Sequence, residues 1–308
     1  MLFKKKKGDG LVMKKLNWKH LGLTAGLGLS LAAAGCATEK SSTEDTSVGK
    51  GQEIELAYVE WDTEVASTHV IGKVLEDLGY NVKLTPLDNA VMWQAVASGD
   101  ADAMVAAWLP ATHGSQFEEY GDQMVNLGTN LEGALVGLVV PEYMDVDSIA
   151  DLTDEAEMSI TGIEPGAGVV AATETALEDY DNLSDWELKT SSSGAMTVEL
   201  GQAIQNEEEI VITGWSPHWM FATYGLKYLE DPEGSFGEAE TINTMAREGL
   251  EEDMPEAYQI LDQFNWTTEE MESIMLDISE GEDPEDAAEA WIEENPDRVA
   301  EWTEGVTE

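Results

Sequence analysis

The chain has one cysteine, Cys36, in 308 residues. A lone thiol excludes a disulfide framework. The four histidines lie far apart, and neither a His-Glu-x-x-His pair nor a Gly-x-Ser-x-Gly elbow occurs, so neither a zinc-peptidase nor a serine-hydrolase site is indicated. No metal site is expected, and no cofactor. Basic residues are scarce as well: 15 Lys and Arg stand against 63 Asp and Glu, for a net charge of −48. Seven of the lysines fall within the first 35 residues, leaving eight basic against 62 acidic side chains beyond them. Such a surface repels nucleic acid and anionic membranes. Salt screens its self-repulsion, so the composition reads as adaptation to a saline medium. A disordered acidic chain is excluded, because 43% of the residues are apolar and they recur periodically.

Long apolar runs are also missing, apart from residues 21–31, which are too few to span a bilayer. This run follows a basic stretch (Lys4 to Lys7, Lys14, Lys15, Lys19) and precedes Ala33-Ala34-Gly35-Cys36. The order is that of a signal peptide ending in a lipobox, with cleavage before Cys36 and acylation of its thiol. Met13 heads a complete signal of its own. Residues 36–52 are polar and read as a flexible tether. The mature chain is therefore expected outside the cytoplasm, held to the cell membrane by lipid.

From residue 53 strands and helices alternate. Strands are expected at 54–59, 82–87 and 104–107, with helices at 63–78 and 90–98 between them. The pattern repeats as strands at 158–163, 186–190 and 210–213 with helices at 169–179 and 196–205. Strands at 133–141 and 241–246 pass between the halves. The tail is helical at 255–264, 267–279, 284–294 and 297–304. This is an α/β chain with two parallel-sheet lobes around a cleft. The expected division is a signal peptide at 1–35, a tether at 36–52, lobe 1 at 53–140, a connection at 141–157, lobe 2 at 158–240, and a return strand with C-terminal helices at 241–308.

The two halves share a phrase. Gln94-Ala95-Val96 leads to Trp108-Leu109-Pro110, and Gln202-Ala203-Ile204 leads to Trp215-Ser216-Pro217, 107 residues later. Ligands of open parallel sheets bind beyond the C-terminal strand ends. Those ends carry Trp61, Trp108, Trp215 and the loop Gly166-Ala167-Gly168. Indole faces suit a quaternary ammonium, which offers no N–H to an acceptor. Six other tryptophans (Trp93, Trp186, Trp219, Trp266, Trp291, Trp302) are expected to fill cores. The glycine loop is either a tight strand-to-helix turn or an anion site made by helix-terminal amides of Gly168 and Val169; without a third glycine a dinucleotide is unsupported. His113 could donate to a carboxylate, and His218, beside Trp215, could be a second polar liner.

Four motifs in order then carry a resemblance: Tyr58-Val59-Glu60-Trp61-Asp62, Ala107-Trp108-Leu109-Pro110-Ala111-Thr112-His113, Gly162-Ile163-Glu164-Pro165-Gly166-Ala167-Gly168, and Thr213-Gly214-Trp215-Ser216-Pro217-His218-Trp219. From about residue 53 to the C-terminus the chain resembles the glycine betaine-binding lipoproteins of ABC importers. The resemblance implies a two-lobed, type II periplasmic-binding-protein fold. It implies that Trp61, Trp108 and Trp215 cage a trimethylammonium, and that the Gly168 and Val169 amides with the His113 side chain hold a carboxylate. The implied partners are a betaine-type zwitterion, such as glycine betaine or proline betaine, and an ABC permease in the membrane; the protein is expected to be a monomer. Two other readings stand beside it: a receptor of the same fold for choline, carnitine or another amine, and a secreted enzyme.

Overall fold

The computed structural model describes residues 47–306. The expected signal peptide, Cys36 and the start of the tether lie outside the described residues. The end of that tether is not free chain. The Gly49 N–H donates to the Leu78 carbonyl and the Gly51 N–H to the Gly79 carbonyl, both at 2.8 Å. A Cβ on Gly49 would stand 2.5 Å from the Tyr80 backbone nitrogen, so this close approach admits only glycine. The folded body therefore already includes residues 47–52.

The first lobe opens with β1 (Glu53–Tyr58), α1 (Asp62–Asp77), β2 (Asn81–Pro86), α2 (Asn89–Ser98) and β3 (Ala103–Leu109). β1 lies between β2 and β3, parallel to both. All seven residues of β3 are buried, as expected for a parallel strand covered on both faces. α1 buries Ala66, Val70, Ile71, Val74 and Leu75 along one stripe. α2 stops at Gly99, whose φ of 77° makes the left-handed cap. A short helix, α3 (Gly114–Tyr120), leads into β4 (Met124–Pro141).

The second lobe contains β5 (Ser159–Gly162), α4 (Gly168–Asp179), β6 (Glu187–Thr190), α5 (Ser193–Asn206), β7 (Val211–Ser216), α6 (Trp219–Thr223) and β8 (Leu226–Tyr228). β9 (Glu240–Arg247) returns to the first lobe. The tail is α7 (Leu250–Asp253), α8 (Pro255–Gln263), α9 (Thr268–Ser279), α10 (Pro284–Glu294) and α11 (Pro296–Trp302). Proline begins α8, α10 and α11, where its missing N–H costs nothing. Thr267 and Glu270 form a capping box on α9. α9 and α10 pack on α1, and Trp266, Trp291 and Trp302 are buried in ring contact with one another.

The strand order is β2-β1-β3-β9-β4-β7-β5-β6, with β8 added on β4. β4 serves both lobes. It pairs with β9 as far as Ala134, opposite Glu240, and with β7 from Leu135, opposite Ser216. The crossover therefore falls between Ala134 and Leu135, earlier than the expected boundary at 140. Residues 141–157, expected as an inter-lobe connection, pack within the second lobe: Ile149 N–H donates to the Glu230 carbonyl, and Asn182 donates to the Ile149 and Leu152 carbonyls. β4 runs on through Ala134-Leu135-Val136 without a polar residue or a turn signal, so the sequence does not mark where the strand changes partners.

Candidate functional site

The C-terminal ends of β1, β3, β5 and β7 meet across the two lobes around one narrow cavity. Its walls include the indoles of Trp61, Trp108 and Trp215, the α4 start at Ala167, Gly168 and Val169, and Thr112 and His113. Thr63, Val136 and Ile163 complete it. The structure thus brings six sequence-identified residues together: Trp61, Trp108, Trp215, His113, Gly168 and Val169. The three indoles are 7%, 3% and 4% exposed, so the lobes hold them largely away from solvent. Both Trp-x-Pro units carry a cis X–Pro bond.

Gly168 and Val169 open the 12-residue helix α4. Val170 and Ala171 N–H groups turn back to the Ala167 carbonyl, while the first amides of a helix have no acceptor within it. The glycine has a second reason. A Cβ at 168 would lie 2.2 Å from the Thr112 carbonyl oxygen of the other lobe. The Thr112 loop is itself held by Glu240, whose Oε1 accepts the Thr112 N–H and hydroxyl, both at 2.9 Å.

His113 has no exposed surface. Its Nδ1 accepts the Trp108 N–H at 3.1 Å, which puts the ring proton on Nε2. That Nε2 is buried and has no protein partner. Burial pushes the imidazole pKa down to about 4, with the Ala106 carbonyl opposing the shift. At neutral pH the ring is therefore uncharged and presents one N–H donor. A neutral donor and two helix-terminal amides suit a carboxylate.

Acidic groups stand behind the indoles, and sequence reasoning assigned them no role. Trp108 Nε1 donates to Glu64 Oε1 at 2.8 Å. Glu64 is 1% exposed, and burial raises its pKa to about 7 against the hydrogen bonds from Thr63 and Trp108. Trp61 Nε1 donates to Glu164 of the second lobe, whose Oε2 also accepts the Ser193 N–H at 3.2 Å. The equivalent strand-end turns of the two halves, Glu60-Trp61 and Glu164-Pro165, thus meet face to face.

Asp62 makes a second bridge between lobes. It accepts from Trp219 Nε1 at 2.7 Å and from the Ser193 hydroxyl at 3.3 Å, and lies 3.5 Å from His218 Nε2. Burial works against its charge, but these second-lobe partners prevail and hold its pKa below the usual value. His218 is consequently not a cavity liner, contrary to expectation. Its Nδ1 accepts the Met220 N–H and caps α6, its other nitrogen faces Asp62, and only its ring edge meets Trp215. Trp219, expected in a core, is half-buried and joins the same bridge. Trp93, Trp186, Trp266, Trp291 and Trp302 are buried as expected.

The model of the OpuAC family, the substrate-binding domain of the ABC-type glycine betaine transport system, matches residues 52–294. The chain belongs to this family. Lactococcal OpuAC, in its closed form with glycine betaine, superposes with a TM-score of 0.81 at 56% identity, covering 82% of this chain and all of that one. The glycine betaine/L-proline-binding protein ProX of Borrelia burgdorferi gives 0.79 at 34% identity, covering 82% and 96%. A choline-binding protein of an ABC transporter, in complex with choline, gives 0.76 at 26% identity, covering 82% and 92%. In sequence, the glycine betaine/carnitine transport binding protein GbuC of Listeria monocytogenes is 50% identical over 161 residues, 52% of this chain. The chain spans about half the length (54%) of that relative. The fold is thus the two-lobed binding-protein fold of the OpuAC family. Among the described residues no helix is long and apolar enough to cross a membrane, and no group of three or more His, Cys, Asp or Glu could hold a metal.

Proposed function

We propose that this OpuAC-family chain is the extracytoplasmic receptor of an ABC importer that captures glycine betaine, or the closely related proline betaine, for osmoprotection. The observation that carries this reading is the convergence on one cavity of three indoles, the first two residues of α4 (Gly168 and Val169), whose amides have no acceptor within the helix, and the unpartnered Nε2 of His113. The trimethylammonium takes the indole faces and the carboxylate takes the donors. The lobes close on the zwitterion, and the loaded protein is delivered to a membrane permease. On this reading the protein is not an enzyme: the buried polar groups at the cavity hold and orient. It works as a monomer, tethered through an acylated Cys36.

Choline is the competing ligand. It would fill the same cage, but its hydroxyl uses helix-terminal amides less well than a carboxylate does. Calorimetric titration of the purified protein with glycine betaine, proline betaine, carnitine and choline tests the reading. Glycine betaine or proline betaine is expected to bind tightest, and choline binding equally well would overturn the anion site. The anchor has its own test. Cys36→Ala should shift the exported protein from the membrane fraction to the medium, and continued membrane retention would refute the lipid tether.

A further inference from the structure

Three indole N–H groups around the cavity end on carboxylates: Trp61 on Glu164, Trp108 on Glu64 and Trp219 on Asp62. Glu64 differs from the other two acids. Glu164 and Asp62 are partly exposed and tie one lobe to the other. Glu64 is buried, sits wholly within the first lobe and makes no inter-lobe bond. Its carboxyl oxygens accept from the Thr63 hydroxyl, the Trp108 indole N–H and its own backbone N–H, none of them a cation, while the Ser67 hydroxyl bonds the Glu64 backbone carbonyl instead. None of the ion pairs among the described residues involves it. A buried carboxyl with no cation partner is expensive to keep. Yet Glu64 is joined to the cavity twice, through Thr63, which lines it, and through Trp108, which walls it.

We infer that Glu64 is the buried counter-charge of the ammonium subsite, acting through the Trp108 indole to make the cage select a cation over an uncharged group of the same shape. The carboxylate accepts the indole N–H and so draws positive charge toward the ring edge. The ring face that meets the ligand becomes correspondingly more negative, and the field of the carboxylate itself adds to it. An aromatic box alone would hold a tert-butyl group nearly as well as a trimethylammonium by area; the anion behind it separates the two. The inference rests on the betaine-receptor reading above and deepens it by naming what sets the charge preference.

The same arrangement couples binding to a proton. Without a cation in the cage, burial keeps the Glu64 pKa near 7, and the Asp62 charge also raises it. A bound ammonium favours the ionised form, so binding near neutral pH expels part of a proton and affinity rises as pH increases from 6 to 8. The other titratable groups at the site are Asp62 on α1, His113 after β3, Glu164 after β5 and Glu240 on β9. Asp62 is held low by its lobe-2 partners, and His113 titrates near 4. Glu240 is raised by burial but bonded to Thr112.

The probes are glycine betaine and its carbon isostere 3,3-dimethylbutanoate, which keeps the shape and the carboxylate but has no positive charge. Calorimetry at pH 8 on the wild type and Glu64→Gln, which retains an acceptor for Trp108, should show the betaine-to-isostere affinity ratio falling about tenfold, as loss of one charge at this range predicts. An unchanged ratio would overturn the inference, because a merely structural role for Glu64 would weaken both ligands alike. The wild type alone supplies a second measurement. Titration of glycine betaine at pH 7 in buffers of different ionisation enthalpy should reveal proton release, and no release would equally overturn it. If glycine betaine does not bind at all, the receptor reading falls and takes the inference with it. If it binds with an unchanged ratio or no proton release, the inference alone falls.

Discussion

Nδ1 of His113 accepts the backbone N–H of Trp108, five residues earlier, at 3.1 Å. The proposed carboxylate donor and one wall of the proposed cage are thereby parts of the same strand-end turn. The bond fixes the ring tautomer and aims Nε2, and it ties that aim to the position of the indole. Because burial holds the imidazole neutral down to about pH 4, His113 acts as a hydrogen-bond donor and not as a charge.

His113→Ala is therefore expected to weaken glycine betaine binding by about tenfold or more, the loss of one buried hydrogen bond to a charged group. Its pH profile between 6 and 8 should keep the wild-type shape, since the ring does not titrate there. Calorimetry over that range is the check. A flattened profile would show that His113, and not a carboxyl, carries the pH dependence.

Trp108→Ala and Trp215→Ala should each weaken glycine betaine by roughly tenfold or more, the effect of removing one desolvated cation–π face. Trp291 stacks on Trp302 at 5.7 Å in the C-terminal helices, away from the cavity. Trp291→Ala should cost about 3 kcal/mol or more of stability while leaving affinity within about twofold. Unchanged affinity in the two cage variants would remove those residues from the site.

Gly168 reports on closure. The structure leaves no room for a Cβ there, because the Thr112 carbonyl of the opposite lobe lies 2.2 Å from where it would stand. The backbone of Gly168 does not itself need a positive φ, so alanine fits the helix when the lobes are apart. Gly168→Ala should then leave the ligand-free melting temperature nearly unchanged and lower affinity by about tenfold or more, since overpacking a tight contact costs about 1–3 kcal/mol. Small-angle scattering should show the variant failing to compact on adding glycine betaine. Normal compaction and affinity would mean that the loops meet less closely in solution.

Much of this was legible in the sequence. The alternating apolar runs placed the long helices and most strands to within a few residues, and α10 fell on its expected span of 284–294, but β4 begins at Met124, nine residues before its expected start at 133. The strand-end rule picked out Trp61, Trp108, Trp215 and the Gly168 loop, the helix start added Val169 and the loop after Trp108 added His113, and the fold gathers these around one cavity. The misses have physical reasons. Short elements such as α6 and β8 span five and three residues, too few to show a period. Glu64 and Asp62 sit among 63 acidic residues, where a buried carboxyl has no compositional signature. Only the helix face reveals it: Glu64 lies two turns before Ile71 on the buried side of α1 and meets Trp108 of β3. His218 looked like a liner because it neighbours Trp215 in sequence, yet capping α6 turns its ring toward Asp62.

The charge of the chain predicts how salt acts on it. On the betaine reading the ligand has no net charge and lies among buried indoles, so added ions screen its own contacts little. The lobes differ in this respect, because each is strongly acidic and they must approach to close. The contacts that join them recruit carboxylates, Asp62 from one side and Glu164 from the other, into bonds with neutral indoles and hydroxyls that do not offset the surrounding charge. At low ionic strength the repulsion acts over tens of ångströms; near 1 M the Debye length is about 3 Å and little remains. Thermal stability and glycine betaine affinity are both expected to rise from low to molar NaCl, with most of the gain complete before 1 M. Melts and calorimetric titrations across a salt series separate this from an exposed ion-pair site, which would lose affinity over the same range. A steep fall in affinity with salt would mean that surface charge holds the ligand, and the aromatic-cage mechanism would then be wrong.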